Sequence, residues 1–100
     1  MDIVYSVNGI PIRMISERWF HIVENHDYLA GRYIDILDVV QDPELILRGY
    51  SGALIAVQGV ARNRYLAVVY KEVSPEDGFV ISAYITEKIN RKAIVWKRNP

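Results

Sequence analysis

Residues 64–86, RYLAVVYKEVSPEDGFVISAYIT, decide how this chain folds. Two runs rich in β-branched and aromatic residues flank the turn-forming cluster SPEDG, which predicts two antiparallel strands, 64–73 and 79–86, joined by a short connection. LAVVY is apolar without alternation, as a strand covered on both faces must be. FVISAYIT sets Phe79, Ile81, Ala83 and Ile85 against Val80, Ser82, Tyr84 and Thr86, so one of its faces is partly polar.

Outward from this centre, ALIAVQ (53–58) precedes and AIVWKR (93–98) follows, with ARN and EKINRK as links. Four consecutive strands with short links predict an antiparallel meander. Upstream the period changes. Ser16 reads as an N-cap and Glu17 as a first-turn acid, opening a helix over 17–26. Trp19, Ile22, Val23 and His26 recur at helical spacing on one stripe, while Glu17, His21, Glu24 and Asn25 fall on other faces. RYIDILDVVQD gives a second helix, with Tyr33, Ile36, Leu37 and Val40 inward and Asp35, Asp38 and Asp42 outward, ending before Pro43. PELILRGYSG reads as a turn-like passage into the sheet, and Asn8-Gly9 as the turn of an N-terminal hairpin. Pro11 cannot donate to a ladder, which places the second hairpin strand at an edge or with its free side outward. The expected architecture is one α+β domain over 1–100: a hairpin (1–14), a helical layer (16–42) and a sheet (53–98), with both helices packed on one face of a four-stranded antiparallel sheet.

Composition agrees with a single folded domain, since 51% of residues are hydrophobic and 24% charged. The absence of cysteine removes disulfide frameworks, thiolate metal sites and cysteine nucleophiles. No basic segment precedes an apolar run at the N-terminus and no stretch approaches the roughly 18 apolar residues of a membrane span, so a soluble, non-secreted, cytoplasmic protein with no membrane partner is expected. The formal net charge is zero, yet residues 1–50 carry a net −4 and residues 51–100 a net +4, which permits a basic face on a neutral molecule.

Two histidines invite a metal site, but His21 and His26 are five apart, about 140° around a helix, and cannot both ligate from one face. No metal or other cofactor is expected. Acid/base chemistry on a phosphodiester remains, for which an imidazole moves protons and a cation stabilises charge on the phosphate oxygens. Candidates are His26 or His21 with Arg18 from the helix, and Lys71, Tyr84 and Thr86 from the strands, provided the helix and the polar strand face meet. Arg62, Arg64 and Arg91, with Tyr50, Tyr65, Tyr70 and Tyr84, add a basic and aromatic surface suited to single-stranded nucleic acid or to a homodimer interface. The structural alternatives are a helix-terminal His26, a solvated His21, and Ser82, Tyr84 and Thr86 as an ordinary solvent face.

The helix ERWFHIVENH, the passage DPELILRG and the strands RYLAVVYKEV and DGFVISAYIT, taken in order, resemble small nucleases of the barnase–EndoU–colicin–RelE type over roughly residues 12–98. The positions that carry the likeness are Arg18, Trp19, His21, Ile22, His26, Pro43, Gly49, Tyr70, Lys71 and the run Ala83–Thr86. At the positions where that family would have a basic residue after ALIAV and a proline after the second histidine, this chain has Gln58 and Asp27. The resemblance implies a toxin-like, metal-independent hydrolase of RNA. A 2′-hydroxyl would attack phosphorus, His26 or His21 would handle a proton, Arg18 and Lys71 would steady the phosphate, and Tyr84 and Thr86 would position substrate. It also implies an antitoxin or immunity protein as partner. A non-catalytic binding or dimerisation module of the same fold is the alternative.

Overall fold

In the computed structural model, which describes residues 1–99, the chain runs β1 (Asp2–Tyr5), β2 (Pro11–Met14), α1 (Ser16–Asn25), a 3-10 turn (Asp27–Leu29) and α2 (Tyr33–Gln41). It continues as β3 (Leu45–Arg48), β4 (Leu54–Ala61), β5 (Arg64–Ser74), β6 (Asp77–Thr86), a second 3-10 turn (Arg91–Ala93) and β7 (Ile94–Lys97). All seven strands join one sheet in the order β1-β2-β6-β5-β4-β3-β7. The β2–β6 pair is parallel and the others are antiparallel, so the sheet is mixed and seven-stranded, not the four-stranded antiparallel sheet expected from sequence.

Two causes enlarge the sheet and a third rearranges it. Leu45–Arg48 is only four residues long and reads as a connection, yet it pairs with β4 on one side and β7 on the other. The N-terminal hairpin docks beside β6 through the single register pair Arg13↔Phe79, reinforced by the Arg13 Nε–Asp77 Oδ1 ion pair at 2.9 Å. The last strand leaves the meander altogether: Leu45 pairs with Lys97, Ile46 with Trp96 and Leu47 with Ile94 at the opposite edge. Ile89 and Ala93 of the preceding link pack on Leu47, Val57 and Ala67, so apolar burial carries that link across the sheet.

The meander β4–β5–β6 forms as its sequence dictates, with β5 at the centre. Leu66, Val68 and Tyr70 of β5 enter the cluster that also holds Ile22 of α1 and Ile36, Leu37, Val39 and Val40 of α2, whereas Ala67 joins the cluster on the other face. Burial on both sides is why LAVVY shows no alternation. The two α-helices thus contribute to a single core cluster, closed at its rim by an edge-to-face contact of Trp19 and Tyr33 with ring centroids 4.9 Å apart.

Two smaller expectations shift. The N-cap of α1 is Ile15, without a side-chain cap bond, and Ser16 is already helical. The first hairpin closes by Ser6 N–H donating to Ile10 O and Gly9 N–H donating to Ser6 O, and Gly9 alone takes positive φ (75°), so the loop is longer than a two-residue Asn-Gly turn. No helix among the described residues is long and apolar enough to cross a membrane.

Candidate functional site

Helix α1 stops at His26, whose backbone turns extended (φ −140°, ψ 71°) while its N–H still donates to Ile22 O. The next residues form the 3-10 turn because Leu29 is fully buried in the core, and Leu29 N–H donates to His26 O at 2.9 Å. Anchored there, the turn leaves Tyr28 half exposed and aimed at β6. The ladder from β2 reaches β6 only at Phe79, so farther along that edge the N–H of Ile85 finds no strand; it donates to the Tyr28 hydroxyl at 3.3 Å. The same hydroxyl lies 3.1 Å from His26 Nδ1, and the two rings meet edge to face with centroids 5.7 Å apart. Tyr84 approaches His26 with ring centroids 6.5 Å apart. Its phenol packs with Leu47, Val57 and Ala67 on the face away from the helices, and burial pushes its pKa up.

Beside Tyr28 a depression of about 450 Å³ is lined by Tyr28, Arg32, Arg64 and Ile85. Arg64 opens β5 on the side of Leu66, and Arg32 precedes α2, holding Asp35 loosely at 3.4 Å. Two arginines therefore line a depression beside a half-exposed tyrosine. Arg32 also borders a second hollow of about 350 Å³ that carries Asp35, Asp38, Asp42 and Arg98, so the cationic ground ends at Arg32 and an acidic wall begins. Arg98 is held there by Asp42 at 3.2 Å.

The residues anticipated from sequence divide into two groups. His26, Tyr84 and Arg64 lie around the Tyr28 junction. Arg62 is exposed on the β4–β5 turn, two residues before Arg64. Thr86 ends β6 with its hydroxyl bonded to the backbone of Lys88, at 3.1 Å to O and 3.2 Å from N, a turn-stabilising role. Arg18 and Lys71 lie apart from the junction. Arg18 is eight residues from His26 on α1, roughly 12 Å along the axis. Lys71 pairs with Phe79 while Tyr84 pairs with Ala67, a separation of roughly 13 Å of strand. His21 is exposed on α1, its carbonyl accepting from Asn25 Nδ2 at 2.9 Å. Among the described residues no three His, Asp or Glu side chains converge as metal ligands.

Tyr28 and Arg32 were not legible as site residues. Tyr28 follows the last helical position and so belongs to no periodic stripe; its only signal is an aromatic hydroxyl two residues after a helix-terminal histidine. No family model matches the chain, and no curated protein or solved structure matches it with statistical significance.

Proposed function

We propose that the chain binds single-stranded RNA across the Tyr28–Arg32–Arg64 groove and cleaves it beside His26. The observation that carries this reading is the junction itself: an imidazole whose ring is fixed by Tyr28, adjoining a groove with two guanidinium groups. Guanidinium forks match phosphate oxygens, and an immobilised aromatic face stacks an unpaired base. Imidazole is the side chain best suited to exchanging protons near neutral pH. In the reaction the 2′-oxygen bonds to the adjacent phosphorus as the P–O5′ bond breaks. The 2′ proton is lost, a proton reaches O5′, and the products are a 2′,3′-cyclic phosphate and a 5′-hydroxyl. His26 takes part in that proton exchange, and Arg64 and Arg32 stabilise charge on the non-bridging oxygens.

A non-catalytic binding module is the second reading, favoured by large apolar side chains left at the surface: Tyr50 is 94% exposed, Phe20 63% and Tyr5 59%. End-labelled single-stranded RNA incubated with the purified chain separates the two. Cyclic-phosphate products that disappear with His26→Ala support cleavage; binding without products supports the module, and neither binding nor products overturns the RNA reading. Arg64→Ala is expected to weaken binding evenly across sequences and to flatten its salt dependence, by about 0.7 in log–log slope per lost phosphate contact on a single strand.

A further inference from the structure

The Tyr28 hydroxyl has one proton to give and two lone pairs to accept with. One lone pair is used by the Ile85 N–H at 3.3 Å, and the oxygen stands 3.1 Å from His26 Nδ1. No other acceptor for the phenolic proton is present among the described residues. Donating it to Nδ1 satisfies both groups together. The reverse arrangement, Nδ1–H donating to Tyr28, would use both lone pairs of the phenolic oxygen and leave the phenolic proton to water. The other ring nitrogen, Nε2, makes no hydrogen bond within the described residues and is not a buried unpaired atom, so it reaches solvent.

We propose that Tyr28 is a positioning residue that holds neutral His26 as the Nε2–H tautomer, so that His26 offers a hydrogen-bond donor, not a lone pair, to an anionic phosphate oxygen beside the Arg32–Arg64 groove. The ligand rests on the RNA reading above; the tautomer does not. With Nε2 already carrying a proton, neutral His26 cannot take the 2′ proton, which leaves to water; its part in the proton exchange is to give Nε2–H to O5′ from the protonated ring, which solvent then re-protonates. In the neutral ring the same Nε2–H adds a third donor to those of the two arginines. The sequence spacing makes this possible: His26 and Tyr28 straddle the bend between α1 and the 3-10 turn, which brings both rings to the unpaired edge of β6.

Long-range ¹H–¹⁵N spectra of the imidazoles in uniformly labelled protein, taken at about pH 8.5, two units above the ordinary histidine pKa, test it. The expected result is a pyrrole-like Nε2 and a pyridine-like, hydrogen-bonded Nδ1 for His26; in Tyr28→Phe, Nδ1 moves to the position of an unbonded pyridine-like nitrogen. A pyrrole-like Nδ1 in the unaltered protein overturns the proposal, and so does an Nδ1 that ignores Tyr28→Phe. If that variant does not fold, the unaltered protein's tautomer still decides. Inorganic phosphate added to the unaltered protein is expected to shift Nε2–H of His26 and leave His21 in place; equal response of both histidines overturns the donor role. A failed RNA-binding assay alongside the expected tautomer and phosphate response overturns the RNA reading alone.

Discussion

Tyr70 shows how much one atom can decide. Its side chain is fully buried at the centre of β5, and its hydroxyl is the one buried side-chain polar atom among the described residues without a hydrogen-bond partner. Burial and the nearby Glu72 charge push its pKa well up, so the phenol stays neutral and its unpaired oxygen is a standing cost. Tyr70→Phe removes that oxygen and keeps the ring. It is expected to stabilise the fold by about 1 kcal/mol, read as a higher urea midpoint at unchanged slope. A lower midpoint would show that the hydroxyl has a partner, such as a buried water. At this scale the sequence was only half informative about the site. Helical spacing separated His26 from His21, because period is a property of neighbours in the chain. Tyr28 was invisible, because its two partners, His26 Nδ1 and Ile85 N–H, meet it only after the β6 edge is left open.

At the scale of elements, the decisive contact is between the N-terminal hairpin and β6. A Cβ at Gly78 would stand 2.5 Å from Ile12 Cδ1 and 2.6 Å from the Lys71 carbonyl, closer than packed atoms approach. Gly78→Ala is therefore expected to cost about 1–3 kcal/mol by overpacking and to loosen the hairpin first. Hydrogen exchange of Ile12, Arg13 and Met14 amides, faster in the variant than the amides of β5, would report this; uniform exchange across the sheet would contradict it. Residues 64–86 were legible because two long β-rich runs around one turn admit little else. Leu45–Arg48 was not legible, and of Ile94–Lys97 the strand was legible but its place in the sheet was not, since the pairing of these short strands is chosen by distant apolar partners.

Over the whole molecule, tyrosines tie separate layers together and set an alkaline limit. Tyr33 of α2 donates to Asp2 of β1 at 2.6 Å, and burial together with that carboxylate raises its pKa from 10.0 to about 12. A phenol whose pKa is raised by folding binds its proton more tightly in the native state. Its stabilisation is thus complete below about pH 10 and is lost as pH rises toward 12. Urea midpoints are expected to fall over that interval, and less steeply in Tyr33→Phe; an identical fall in the variant would remove Tyr33 from the cause. The charge division between the halves of the chain, net −4 and net +4, does not separate into two faces: Arg32 of the acidic half lines the groove with Arg64, and Arg98 of the basic half sits among Asp35, Asp38 and Asp42 in the acidic wall that meets it. On the RNA reading proposed above, that boundary would leave an anionic strand only the side bearing Tyr28 and His26. The most direct measurement is a titration of ¹⁵N-labelled protein with a short single-stranded RNA at low salt, following every amide. The expected shifts gather on His26, Tyr28, Arg32, Arg64 and Ile85 and shrink in Arg64→Ala. Shifts centred on Lys71 and Phe79, or none at all, would contradict the assignment of the RNA site.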